Sequence, residues 1–451
     1  MDKILEYSIS YPFLEHPLAN EKEQVKLKYT ALLRSFADQF GDNKDINAMR
    51  AERYISDFLN DGQPNTGELK SAINEIMKTR FTPFRFFSYR YLFLFDCIYL
   101  YAPMSMAEAQ KICEEIKSTV NARYHKRLDG IVKMMFEDNA DLMQRTMITA
   151  EQFKAWEQLR RYIRTHEKNI IFTATMSAGK STLINALIGQ EVSNTKKAAC
   201  TSQALCFHAA AVPHPAFHVL SKSRAEINVS AEAVRRILSN DHDSCTIIGY
   251  FNSELGGMRY NLIDTPGIDS ALNPEHKKIT RNTLCAQEYD AVVYVIPVEN
   301  YGSEGDFFHL KYILNQVKFK KIVFAINMMD TCDFEDDSVC EIMDNVKSHL
   351  MEIGYEDPIV CPISAKAGLR FKQALSGQQM SAADEAQTKA FCNKFLNEEY
   401  NMGAYYEFPA EPSLSRISDY HSEIPVEALR KAYEHTGLPQ FESLLKRITE
   451  D

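Results

Sequence analysis

Two short stretches most constrain what this chain can fold into. Residues 291–298 (AVVYVIPV) and 322–327 (IVFAIN) are nearly continuous apolar runs, rich in β-branched residues. Runs of that length without alternation suit strands covered on both faces, as in a parallel sheet. Further short apolar runs occupy 169–173, 204–211, 260–263 and 358–363. Helical patterns lie between them near 180–187, 274–287, 306–317 and 336–352. The alternation predicts an α/β domain with a mostly parallel sheet and helices on both faces, spanning 166–451. Its later part reads as helical over 370–400, as a Tyr-, Pro- and Ser-rich loop over 401–425, and as helical again over 426–435 and 439–448.

The first part of the chain has a different period. Apolar residues recur at helical spacing in 24–40, 50–59, 68–77, 86–101, 106–120 and 128–136, with breaks at 41–43, 61–66, Pro83 and Pro103. Phe153, Trp156, Leu159 and Ile163 share one face of a further helix at 150–164, so that helix should pack. Residues 1–165 therefore read as an all-α helical domain, with no chemistry in their sequence. A length of 451 residues suggests about three domains. The change of period divides the chain into two.

Composition narrows the function classes. The chain is 45% hydrophobic and 25% charged, with only 17 Gly and 16 Pro, which excludes collagen-like and low-complexity classes. Residues 1–165 carry 24 basic and 23 acidic side chains, and the remainder 27 against 38. Neither part is a basic surface for nucleic acid or anionic lipid, so nucleic acid is not an expected partner. Ten cysteines lie scattered without a CxxC pair or zinc spacing, as free thiols of a reducing compartment do. The first residues, MDKILEYSISYPF, lack the basic flank and apolar run of a signal peptide. A cytoplasmic location is expected. The aromatic stretch 84–103 is interrupted by Arg85, Arg90 and Asp96, which favours a buried helix over one dipping into a membrane.

The chemistry concentrates after the first strand. Residues 174–181 read ATMSAGKS, a phosphate-binding loop of the GxxxxGK[ST] type with Ala174 at the first glycine position. Such a loop turns sharply, points backbone N–H groups inward and feeds a helix whose positive end faces phosphate. Ala174, Met176, Ser177, Ala178, Gly179, Lys180, Ser181 and Thr182 are the candidate phosphate contacts. Lys180 would reach the β- and γ-phosphates, and Ser181 would offer its hydroxyl to Mg²⁺. Alanine at 174 is tolerable if that residue needs no positive φ.

Three further motifs follow in order, each at the end of a predicted strand. Asp264-Thr-Pro-Gly267 offers a carboxylate to Mg²⁺ through water and a Gly267 N–H to the γ-phosphate. Asn327-Met328-Met-Asp330 offers a carboxylate that can accept both guanine N–H groups, which adenine cannot supply. Ser364-Ala365-Lys366 offers backbone near the guanine O6. Each tetrapeptide alone is weak; the ordered set is specific.

This constellation resembles the GTPase superfamily. The P-loop TMSAGKSTLINALIG and the downstream DTPGIDSALNPEHKKIT are similar to those of bacterial dynamin-like proteins, including Glu275, His276, Ile279 and Thr280. The resemblance spans about 166–366, and residues 436–445 resemble the last helix of that G domain. It implies insertions at 212–256 and about 369–432. It further implies a switch threonine, for which Thr201 fits and Ser202 is second, completing the Mg²⁺ shell and holding the attacking water. It implies GTP/GDP and Mg²⁺ as ligands, hydrolysis of GTP, and a G-domain homodimer. In that dimer a P-loop serine, here Ser177, holds K⁺ or Na⁺ in place of an arginine finger. Residues 299–306 (ENYGSEGD) lie where the family makes contacts across the dimer, although their charges read as those of a solvated loop.

Two positions depart from the family. Met176 stands where eukaryotic dynamins carry glutamine, which removes a side chain for water positioning. Met328 replaces the usual NKxD lysine; it keeps apolar cover for the base but removes a polar tie to the P-loop, so weaker guanine affinity is expected. Membrane association at the inner face is what the family implies, with a stalk supplied by a partner protein, by the N-terminal helices or by a longer parent chain. A soluble GTP-dependent switch and a degenerate nucleotide-binding scaffold, each acting through a protein partner of the helical domain, are the alternatives.

Overall fold

The computed structural model of the chain describes residues 8, 16–39, 50–51, 84–103, 105–137, 146–175, 177–193, 204–222, 225–240, 244–267, 274–286, 288–299, 302, 304–316, 321–334, 338–407 and 424–450. The chain separates into two compact units, Met1–Thr165 and His166–Asp451.

Among the described residues of the first unit the regular elements are all helices, the longer ones being α1 (Glu23–Gln39), α2 (Phe84–Tyr101), α3 (Met106–Thr119), α4 (His125–Glu137) and α5 (Ala150–Arg164). The aromatic stretch forms α2, and residues 91–100 of it are buried. No helix among the described residues is long and apolar enough to cross a membrane. Asp96, which interrupts the apolar run, is 2% exposed. It accepts from the Tyr29 hydroxyl and from His16 Nε2, the latter at 3.0 Å. His16 Nδ1 accepts from the Leu18 N–H, which leaves the proton on Nε2. The carboxylate is thus satisfied inside the protein, as burial demands. A Thr149/Gln152 capping box starts α5, and Trp156 is buried with its indole N–H on the Met135 carbonyl at 2.7 Å. The expected helices at 50–59 and 68–77 lie outside the described residues, apart from Arg50 and Ala51.

The second unit is the α/β part. Its strands are β1 (Lys168–Ala174), β2 (Leu205–Ala209), β3 (Phe217–Leu220), β4 (Ala225–Val229), β5 (Thr246–Gly249), β6 (Tyr260–Asp264), β7 (Ala291–Pro297), β8 (Lys321–Asn327) and β9 (Ile359–Pro362). Among the described residues they form one sheet in the order β4-β3-β5-β2-β6-β1-β7-β8-β9. Strands β6, β1, β7, β8 and β9 run parallel to one another. Their register sets Phe172 beside Asp264, Pro297 beside Asn327, and Ile326 beside Pro362. The ends of β1, β6, β8 and β9 therefore line one carboxyl edge, where ligands bind in sheets of this kind.

The remaining helices of this unit are α6 (Lys180–Ile188), α7 (Ala231–Asn240), α8 (Pro274–Ala286), α9 (Glu304–Gln316), α10 (Val339–Ile353), α11 (Ala365–Leu375), α12 (Ala382–Phe395), α13 (Val426–His435) and α14 (Leu438–Glu450). The described part of 212–256 extends the sheet: β3 pairs antiparallel with β4 and β5, and β5 runs parallel to β2. Strand β2 meets β6 antiparallel. The described part of 369–432 shares the main core through Leu369, Phe371, Leu375, Phe395 and Leu429. Gly368 permits a close approach of α11 to α14, since a Cβ on it would stand 2.6 Å from Leu438 Cδ2.

Candidate active site

The loop after β1 has the backbone its sequence demands. Ala174 closes β1 in extended conformation and is fully buried, so the absent first glycine costs no left-handed turn. Ser177 and Gly179 take positive φ values of 65° and 82°. Gly179 is obligatory for a second reason. A Cβ there would stand 2.3 Å from Asn327 Nδ2, well inside contact distance. Ser177 is exposed and Ala178 buried, while Lys180, Ser181 and Thr182 open α6 half-buried. Met176 and Thr201, with the runner-up Ser202, lie outside the described residues.

Lys180 and Asp264 form an ion pair, with side chains only 11% and 6% exposed. Burial pulls the Lys180 ammonium down to about 7, an effect that the adjacent carboxylate opposes. Ser181 Oγ donates to Asp264 Oδ2 at 3.3 Å. A hydroxyl and a carboxylate thus share one point at the N-terminus of α6. Hard oxygen donors of this kind fit Mg²⁺.

Thr265 ties the strand end down by donating to the Phe172 carbonyl at 2.8 Å. Gly267 follows, half-buried. Thr280, within the EH…IT pattern, is fully buried and donates to the Pro266 carbonyl at 2.8 Å. It fixes the residue before Gly267 from a helix that begins seven residues later.

The base-side motifs close onto the P-loop through Asn327. This side chain is 2% exposed. Its Nδ2 donates to the Ala178 carbonyl at 3.1 Å and the Gly179 carbonyl at 3.5 Å, and its Oδ1 accepts the Ala365 N–H at 3.1 Å. One amide thereby joins three motifs that lie far apart in sequence. Asn327 ties its own loop to the P-loop backbone, whereas the thioether of Met328 has no donor to add the further tie that a lysine there would make. Met328 adds an apolar contact, its Cε standing 3.2 Å from where a Gly179 Cβ would be. The Ala365 amide is engaged by Asn327, while Ser364 Oγ donates to Asp330 Oδ1 at 2.5 Å. Ser364 is buried, and Lys366 is exposed one residue into α11.

Two surroundings of the site were not legible beforehand. Asn185 of α6, fully buried, accepts the Val192 and Ser193 N–H groups at 3.0 and 2.8 Å and donates to the Ser193 carbonyl at 3.0 Å. It fastens the segment that leads toward residue 201. The charges of 299–306 are not all solvated as expected. Asp306 is 2% exposed, accepts from the Tyr294 hydroxyl, and takes the Gly302 N–H at 3.3 Å. A solvated aspartate would leave Tyr294, buried on β7, without this acceptor. Lys321, at the start of β8, donates to the Ile448 carbonyl at 3.2 Å.

A P-loop, a DTPG aspartate, an NxxD loop and an SAK turn, set along the carboxyl edge of a parallel sheet, define a P-loop GTPase domain preceded by a helical region. Within that class, residues 170–327 match the model described as Dynamin family. Elongation factor 1-alpha 2 of Euplotes crassus is 29% identical over 150 residues, which are 31% of this chain and 31% of that protein. Elongation factor 1-alpha of Thermococcus onnurineus is 29% identical over 108 residues, 24% and 23% of the two chains. The chain thus spans a third or less of the length of these curated relatives. Among solved structures, a chain of an oligomerised bacterial dynamin pair, described as sensing and tethering membranes at long range, is 15% identical. It aligns over 99% of this chain and 76% of its own, with a TM-score of 0.37. A single-residue variant of Aquifex aeolicus Era bound to GDP·AlF4⁻ is 18% identical over 45% of this chain and 52% of its own, with a TM-score of 0.27.

Proposed function

We propose that this chain binds GTP together with Mg²⁺ and hydrolyses its β–γ phosphoanhydride, faster when two G domains pair. The single observation that carries the reading is the Asn327 junction. It joins the Ala178 and Gly179 carbonyls to the Ala365 N–H, and Ser364 beside Ala365 holds Asp330, so one ligand can touch phosphate and base motifs together.

The roles follow from chemistry. The N–H groups from Ser177 to Ser181 and the N-terminus of α6 hold the phosphates. Lys180 exchanges Asp264 for phosphate, placing its charge at the β- and γ-oxygens. Ser181 and Asp264 would hold Mg²⁺, which when bound supplies positive charge at the bridging phosphates. Gly267 presents its N–H to the γ-phosphate, and Thr201 orients water. Ser177, which is exposed, would hold a monovalent cation, K⁺ or Na⁺, once a second G domain encloses it. Asp330 selects guanine through its two N–H donors.

The test is GTP hydrolysis measured against protein concentration, with and without K⁺. Specific activity that rises with concentration and with K⁺ supports the paired enzyme. Slow turnover independent of concentration points to a switch, and no turnover to a scaffold. Our reading sets the protein in the cytoplasm, peripheral to the membrane's inner face, and liposome co-sedimentation with GTP tests that placement.

A further inference from the structure

The loop that carries Asp330 has a backbone that needs holding. Met328 sits at φ 68°, the left-handed region that side chains with a Cβ disfavour. Such conformations persist where surroundings over-determine them. Here the surroundings come from α12 and the turn after it. Lys394 Nζ donates to the Asp330 carbonyl at 2.7 Å and to the Cys332 carbonyl at 3.1 Å. The Tyr400 hydroxyl donates to the same Cys332 carbonyl at 3.0 Å. The Lys394 ammonium lies 4.5 Å from the Tyr400 ring centroid, and that ring packs on Phe334 at 4.6 Å. The loop is therefore gripped on both sides of residue 331 by two side chains, one of them charged. Charge-assisted bonds to carbonyls are the stronger kind, and an ammonium between two of them fixes their separation.

From this clamp we infer that Lys394 is a positioning residue for base selection. It fixes the Asp330 backbone so that the carboxylate, steadied by Ser364, meets the two guanine N–H donors. It braces from the 369–432 segment a loop to which Met328 brings only an apolar side chain. The inference rests on the guanine reading above, and it assigns that segment a part in specificity.

Binding of GDP, ADP and base-free tripolyphosphate, each with Mg²⁺, is measured by calorimetry on the full chain and on K394M, K394R and Y400F. In the unsubstituted chain GDP binds more tightly than ADP. K394M loses about tenfold in GDP affinity, the scale of one charged hydrogen bond. Its tripolyphosphate and ADP affinities stay in place, and K394R recovers most of the loss. Y400F, which removes only the hydroxyl on Cys332, loses GDP affinity selectively by about threefold, a weaker neutral bond. It serves as the test if K394M does not fold. Unchanged GDP affinity in K394M, or in Y400F where that variant stands in, overturns the inference while the guanine reading stands. Equal loss of tripolyphosphate does so too, since it marks a general structural effect. Failure of the unsubstituted chain to prefer GDP over ADP overturns the guanine reading, and this inference with it.

Discussion

Lys372 of α11 and Glu442 of α14 form an ion pair with side chains 0% and 1% exposed. Lys372 Nζ also donates to the Ala186 carbonyl near the end of α6 at 2.7 Å, and Glu442 accepts the Glu254 N–H at 3.2 Å. Burial pushes the Glu442 carboxyl up to about 7 and pulls the Lys372 ammonium below its ordinary value, each opposed by the partner. The pair locks the P-loop helix to the last helix, yet it is costly to bury. Lys372→Met leaves the buried carboxyl without its partner and is expected to destabilise this unit by about 3–5 kcal/mol at a pH where that group is ionised. That is a large share of the roughly 5–15 kcal/mol typical of a domain. The double variant Lys372→Met with Glu442→Leu, apolar on both sides, should be neutral or more stable by roughly 1–4 kcal/mol.

The pH dependence has a definite sign. A carboxyl whose folded pKa is raised contributes most at low pH and loses that contribution as pH rises through the folded value. The stability supplied by Glu442 is therefore full below about 4.5, its ordinary value, and declines toward about 7. In Lys372→Met the stranded carboxyl takes up a proton more readily, so the damage should shrink at pH 5 and grow at pH 8. Urea unfolding followed by circular dichroism is the assay. The single tryptophan, Trp156, lies in the helical unit and reports that unit alone. A double variant as unstable as Lys372→Met would refute this reasoning, and so would a single-variant cost below about 1 kcal/mol.

Three other outcomes are expected. Gly179→Ala forces a Cβ onto Asn327 at a positive φ, for a combined cost of roughly 3 kcal/mol. Equilibrium dialysis should show a loss of about a hundredfold in GTP affinity. Asn327→Ala leaves the Ala365 N–H and the Ala178 carbonyl without their shared partner. It should cost about 1–3 kcal/mol in thermal unfolding, and nucleotide affinity should fall with it. Thr280→Val removes the bond to the Pro266 carbonyl. It should slow hydrolysis while leaving GDP affinity nearly unchanged, because in the proposed roles the loosened Gly267 serves only the γ-phosphate; an equal fall in GDP affinity contradicts that assignment.

Much of the fold was legible because its signals are local. The apolar runs at 291–298 and 322–327 became β7 and β8 with boundaries within one residue, since strands buried on both faces leave an unbroken pattern. The P-loop was legible because glycine at 179 answers a backbone need within the loop itself. Asp306 misled the reading: next to glycines and acidic residues it reads as solvated, and only its placement under Tyr294 of β7 buries it. Thr280 was noticed as part of a pattern, but its partner lies 14 residues away and its role needed the fold.

The sequence by itself determined the order of the motifs, the strands that end in them and the division into a helical and an α/β part. These rest on periodicity and turn chemistry, which neighbouring residues carry between them. Only the tertiary structure decided how the motifs are joined. Asn327 spans to Ala178 and Ala365, Lys394 reaches back to Asp330 and Cys332, and Lys372 meets Glu442 across 70 positions of chain. A buried amide or ammonium takes whichever partners the packing brings within about 3 Å, and a sequence carries no local mark of that choice.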